Sequence, residues 1–189
     1  MQKDKKEQVI ETTLLLIASQ SIQATPMSQI AKVSGVAIGT IYHHFKSKED
    51  ILKEIYLRIK QDFQEIIESQ LSESKSTKEN FDSIWLGLHA YYIINPLKFL
   101  FLQQVTNSPA IDEVTKKKGE QYYLAVIHFF EKGIQDGVFQ SMSPVLMAEL
   151  VHGIISTMVE LELNSKLEET TKERESALEF SWNAVKNSH

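Results

Sequence analysis

The stretch TPMSQIAKVSGVAIGTIYHHFKSK, residues 25–48, constrains the chain more than any other feature. Pro26 suits the first position of a helix, where its missing N–H costs nothing, and the Thr25 hydroxyl before it is read as the cap. Met27, Ile30 and Ala31 share an inward face. Gly35, after Ser34, is placed to end that helix in the left-handed conformation. A second short helix is expected over 38–44, with Ile41 and Phe45 four residues apart and turned, with Val36, to a common core. Two short helices joined by a glycine-containing turn form a helix-turn-helix, and such a second helix lays its outer face in a DNA major groove.

That outer face holds Ala37, Ile38, Thr40, Tyr42, His43 and, more laterally, His44. Thr40 can bond a base edge or a phosphate, and Tyr42 and His43 can reach phosphates with their polar tips. Gly39 lets the backbone come close. Lys46 and Lys48 follow at the helix end to pair with the DNA backbone, and Thr25 is expected to donate to a phosphate near the first short helix. Ile38 is the unusual member. It either touches a thymine methyl or folds back on the first helix. Net charge is −5, but residues 1–60 carry nine Lys and Arg against six Asp and Glu, and the remainder eleven against nineteen. The basic excess thus lies in the part expected to meet DNA.

The rest of the chain reads as helix. Pro96, Pro109 and Pro144 mark boundaries, and the apolar residues between them recur at three- and four-residue steps. Leu52, Ile55, Ile59, Phe63, Ile66 and Ile67 form one such stripe. Ser47 caps its start, with Glu49 and Asp50 in the first turn. The spacing predicts about nine helices, over 4–20, 27–34, 38–44, 48–70, 77–94, 96–106, 110–135, 144–164 and 171–187, with a turn at Asp136-Gly137 and no strand. With no cysteine, disulfides, thiolate metal sites and a cysteine nucleophile are excluded. No secretion signal is read, and charge interrupts the apolar stretches before about 18 residues, so a cytoplasmic protein with no membrane span is expected.

The segment TPMSQIAKVSGVAIGTIYHHFKSKEDIL resembles the signature of the TetR family of repressors. Thr25, Ile30, Ala31, Gly35, Val36, Gly39, Thr40, Ile41, Tyr42, His44, Phe45, Lys48 and Leu52 occupy its positions. Ala37 replaces the family's usual serine, which removes a side-chain cap from the reading helix, and Ser21-Ile22 replaces a glycine-aromatic pair. The resemblance implies an all-α protein: a three-helix DNA-binding domain, residues 1–47, and a helical ligand-binding and dimerisation domain, 48–189. It implies a homodimer gripping a palindromic operator and released by a small-molecule inducer. Helix 144–164 is apolar nearly all round and so needs partners on all sides, which agrees with a dimer through residues 144–187. Ten of the seventeen aromatics fall in 81–130, where the family encloses its inducer. The candidate ligand contacts are Phe63, Trp85, His89, Tyr92, Phe99, Gln103, Tyr123 and His128. Plain core is the competing reading of the aromatics. Without a basic cluster inside these apolar stretches, an apolar or neutral inducer is expected.

Two other classes compete. A metal enzyme would need ligands at helical spacing, and a pair such as His128 with Glu131 is weak by itself. The sequence has no nucleophile elbow, phosphate loop or dinucleotide fingerprint, so no catalytic residue, metal or cofactor is assigned. A stack of helices serving only protein contacts would leave unexplained the polar face at 37–43 and the lysines after it.

Overall fold

The computed structural model describes residues 4–168 and 170–187. Among these lie ten α-helices and no strand, only an isolated β-bridge between Phe139 and Lys186. The helices are α1 (Lys5–Ser19), α2 (Met27–Ser34), α3 (Ile38–His44), α4 (Lys48–Gln70), α5 (Thr77–Ile94), α6 (Pro96–Val105), α7 (Glu113–Gln121), α8 (Leu124–Gln135), α9 (Pro144–Leu163) and α10 (Thr170–Val185).

Eight of the expected helices are present. The ninth, over 110–135, is two: α7 ends at Gln121, Tyr122 and Tyr123 form a turn, and α8 begins at Leu124. Neither glycine nor proline marks this break. It falls where the chain leaves one compact unit for another. The first unit contains the residues up to Gln61 together with Asn95–Gln121, and the second contains Asp62–Ile94 and the chain from Tyr122 onward.

In the first unit α1 packs on α2, α3 and α6. Val9, Ile17, Ile30, Ile41, Ile51 and Leu52 are fully buried there. Arg58 ties the first turns of the unit together, donating to Glu7 at 2.7 Å and to Glu54 at 3.0 Å, while Lys6 reaches Glu54 at 3.0 Å. Gln104 on α6 donates to the Ile17 carbonyl at 2.6 Å, covering an orphan group near the end of α1. Asp112 caps α7 by accepting from the Thr115 N–H at 2.8 Å and also pairs with Lys53 at 2.6 Å.

In the second unit α9 packs on α5, α8 and α10. Ser76 and Glu79 form a capping box at the start of α5: the Glu79 N–H donates to the Ser76 hydroxyl, and the Ser76 N–H donates to Glu79 Oε2 at 2.8 Å. The turn after α8 is set by Gly137, at φ 71°, as its position after Asp136 predicts. Gly133 is required for a different reason. A methyl group there would collide with the Phe139 ring, which packs directly on the α8 backbone.

By length and composition α9 is long and apolar enough to cross a membrane, with a mean hydropathy of 1.4 over its best 18 residues, but Glu149 and Glu160 interrupt that stretch, as the sequence leads one to expect. Met147, Ala148, Val151, Ile155, Met158 and Val159 bury one face in the second unit, while Val145, Leu146 and Leu150 are exposed.

Candidate DNA-reading face and effector cavity

The seven residues of α3 are too few to hold a helix by propensity alone, so its tertiary anchors decide. Ile41 is fully buried, and Phe45 and Val36 nearly so. Gly35, at φ 69° and ψ 11°, supplies the left-handed stop to α2 that the sequence predicts. Ala37 holds the N-cap position of α3 without a side-chain hydrogen bond, so the cap lost with serine is not replaced. At the other end, Ser47 accepts from the Asp50 N–H at 3.2 Å and Asp50 accepts from the Lys46 N–H at 3.1 Å, which fixes the entry to α4.

With the inner face so anchored, the opposite one is turned out. Ala37, Gly39, His43, His44 and Lys46 are exposed, Thr40 is half-buried, and Tyr42 is 51% exposed. Ile38 is 43% exposed, a large apolar side chain at the start of α3 that is in part open to water. A Cβ built on Gly39 meets nothing within 4 Å, leaving open space above the helix start.

Two residues of the expected set are occupied elsewhere. Thr25 is 0% exposed, and its hydroxyl donates to the Ser21 carbonyl at 2.8 Å while accepting from Gln20 Nε2 at 3.0 Å. It makes no cap for α2, whose N-cap is Pro26 without a side-chain bond. The hydroxyl holds the α1–α2 loop, because Gln20, which also reaches Gln29, supplies an inward partner. Lys48 is likewise drawn in, its Nζ donating to the Ile22 carbonyl at 2.6 Å. Lys46 is thus the exposed cation at the end of α3.

The second unit encloses a cavity of about 20 Å³, lined chiefly by Phe81, Trp85, Val126, Phe129 and Phe130, with Tyr123 and His152 at its polar edge. That is room for about one water. Beside the edge, Tyr92 OH hydrogen-bonds with His152 Nε2 at 2.8 Å, and the Phe63 ring stands edge-on to Tyr92 and Tyr91 at 5.5 and 5.6 Å. Tyr91 donates to Asp62. Burial pushes the phenols of Tyr91, Tyr92 and Tyr123 up, so all three stay protonated donors; the Asp62 carboxylate adds to this at Tyr91, as does Glu149 at Tyr123.

His89 does not line the cavity. Its ring stacks on Trp85 at 5.6 Å and 10°, and its Nε2 pairs with Glu162 at 2.9 Å. Burial lowers its pKa, the Glu162 carboxylate opposes that fall, and Arg174 adds to it. On the other edge of the indole, Trp85 Nε1 donates to Ser181 at 3.0 Å. Trp85 is thereby held from both sides.

Of the eight candidate ligand contacts, Trp85 and Tyr123 line the cavity, and Phe63 and Tyr92 back its polar edge. His128 lies on an open groove beside it, and Phe99 and Gln103 belong to the first unit. The residue that sequence reasoning missed is His152. Its signal was present: Ala148, Val151, His152 and Ile155 recur at i, i+3, i+4 and i+7 on α9. Among the described residues no group of three or more His, Cys, Asp or Glu side chains could hold a metal ion.

Comparison with known proteins agrees with this geometry. Residues 9–55 match the family described as bacterial regulatory proteins, tetR family, and residues 56–187 match the tetracyclin repressor-like C-terminal domain. The fatty acid metabolism regulator protein of Bacillus subtilis is 30% identical over 164 residues, 82% of this chain and 81% of its own. A tetR family transcription regulator from a Shewanella species superposes with a TM-score of 0.87 at 27% identity, covering 97% of this chain and 99% of that one. FadR from Bacillus subtilis, solved in complex with stearoyl-CoA, superposes with a TM-score of 0.74 at 23% identity over 93% of this chain and 96% of its own. With a helix-turn-helix whose reading face is open and two family domains that together span the chain, the protein belongs to the tetR family of bacterial regulatory proteins and is a ligand-responsive, DNA-binding transcriptional regulator.

Proposed function

We propose that the protein is a cytoplasmic repressor that binds a palindromic operator as a homodimer and lets go when a small molecule enters the second unit. The observation that carries the DNA half is the outward set on α3, held by the buried Ile41 and Phe45. Thr40, Tyr42 and His43 contact base edges and phosphates, Lys46 and His44 contact the backbone, Gly39 and Ala37 allow close approach, and Ile38 meets a thymine methyl. The head is residues 1–47, and residues 48–189 carry the effector and dimer functions.

The dimer forms through residues 144–187. An open groove of about 740 Å³ runs between α9 and α10, with Leu150, Gly153, Ile154, Leu161 and Phe180 among its walls. Phe180 is 65% exposed, a large apolar surface to leave in water. A two-fold related copy would cover it and pair two reading helices with two half-sites.

The effector is apolar along most of its length, because the cavity wall is aromatic and aliphatic and its polar groups are gathered at one edge. The Bacillus subtilis FadR, solved with stearoyl-CoA, supports a long acyl chain as the apolar part. Binding there loosens the operator only if the ligand prefers the DNA-free state.

The test is an operator selected from genomic fragments and read by fluorescence anisotropy. Affinity should fall steeply as salt rises, through release of counterions from the duplex, and should fall again on addition of stearoyl-CoA. Salt-independent binding would contradict the DNA half, and an unchanged affinity with stearoyl-CoA would contradict the effector half.

A further inference from the structure

The aromatic cavity, at about 20 Å³, is more than ten times too small for any ordinary ligand, whose site takes roughly 300–1,000 Å³. Beside it lies an open groove of about 680 Å³, between α8 and the loop that joins α4 to α5. The two volumes share a single lining residue, Phe129. We infer that Phe129 is the gate between a tail-binding cavity and a head-binding groove, and that together they take an amphiphile with an apolar chain and a polar, charged head. This rests on the effector reading above and adds the route and the second half of the site.

Three observations support a movable ring. Phe129 is half-buried, whereas the adjacent Phe130 is 2% exposed and lines the cavity alone. Phe129 stands edge-on to Phe130 and Phe139 at 5.4 and 5.5 Å, contacts it can exchange without breaking a hydrogen bond. Finally, Ala125, four residues earlier, lies on the groove stripe of α8. Long helical side chains lean toward the preceding turn, so one of the two common χ1 rotamers would lay the ring over Ala125's small side chain. Opening would then join the cavity to the groove.

The groove also has the chemistry for a head. Lys132 and His128 line the groove from α8 on the stripe that carries Phe129, and Lys75, whose Nζ donates to the Gln70 carbonyl at 3.2 Å and to Ser83 at 3.0 Å, lines it from the α4–α5 loop, along with Glu73 and Asp136. The loop is held in place by the buried Asn80, whose amide donates to the Ser72 carbonyl at 2.9 Å and whose oxygen accepts from the Ser72 N–H at 2.9 Å. A head carrying both anionic and hydrogen-bonding groups fits these residues; a plain hydrocarbon leaves them in water.

Two measurements test the gate. In a Trp182→Phe background, Trp85 is the sole indole and reports on the cavity wall. Phe129→Ala should raise acrylamide quenching of Trp85 at least threefold in the ligand-free protein, and the milder Phe129→Leu should raise it less. Unchanged quenching in both folded variants would overturn the gate. In stopped flow with stearoyl-CoA, Phe129→Ala should speed association and dissociation together, at least tenfold each, while Lys132→Glu should speed dissociation alone. Equal rates in all three proteins would overturn the two-part site. Raised quenching with no stearoyl-CoA binding in any variant would overturn the amphiphile and leave the gate standing.

Discussion

The reading helix and the effector cavity are built on opposite plans. α3 is short, exposed and anchored by a few local contacts: Ile41 and Phe45 one turn apart, Gly35 at the turn, Ser47 and Asp50 at the exit. The cavity is narrow and gathers rings from α5, α8 and α9, spread over some seventy residues of the chain. A surface that must meet a partner of fixed shape can be preorganised at little cost, because its own helix needs no internal cavity to open. A site that must open for a ligand is closed when empty, because apolar walls around a large void lose contact energy.

This contrast predicts that substitutions in the two regions will fail differently. The largest effect should come at Phe63, fully buried among Tyr91, Tyr92 and His152. Phe63→Ala should cost about 3–5 kcal/mol in chemical denaturation, the usual cost of deleting a core aromatic. The two glycines should part next. Gly133→Ala forces a methyl into the Phe139 ring and should cost about 1–3 kcal/mol, by overpacking. Gly39→Ala meets nothing, so stability should hold or rise slightly while operator affinity falls, because the added methyl stands where DNA would approach. Loss of stability at Gly39 would break the comparison.

Ala37→Ser should sharpen it. A restored cap on α3 should add about 0.5–2 kcal/mol to stability, with the melting temperature as readout. The smallest effect is a pH dependence confined to the second unit. His89 packs on Trp85 and faces Glu162 from α9 and Arg174 from α10, and its pKa is lowered in the fold by burial. The unfolded chain therefore binds the proton more readily. Stability is retained above the unfolded histidine value, near 6.5, and declines as pH falls below it. His89→Gln should flatten the melting-temperature profile between about pH 7 and pH 5; an equally steep profile in the variant would assign the dependence elsewhere.

The same contrast explains what could be read from the sequence. The helix-turn-helix is encoded within twenty-four consecutive residues, so the Ile41–Phe45 pair, the Gly35 stop and the outward face all follow from local spacing. Thr25 shows the limit of that reasoning. Its hydroxyl could serve as a cap, a phosphate donor or an inward bridge, and the choice lay with Gln20, five residues back at the C-terminal cap of α1. The cavity was legible only as a class of residues. Periodicity tells that Phe81, Phe101 and Phe130 face inward, yet Phe101 is plain core of the first unit while the other two border a void. His89 was read as a ligand contact because a polar group among aromatics suggests one, but its partner, Glu162, lies 73 positions away. The break at Tyr122-Tyr123 carries no helix-breaking residue, and it arises where α7 and α8 commit to different units.

The most direct measurement is operator affinity, by fluorescence anisotropy, for wild type, Thr40→Ala, Tyr42→Ala and His43→Ala, with melting temperatures taken alongside. Each substitution should weaken binding about tenfold or more, in line with the roughly 1–3 kcal/mol of one lost specific contact, and should leave the melting temperature unchanged. Wild-type affinity in all three folded variants would contradict the assignment of the α3 face as the surface that reads DNA.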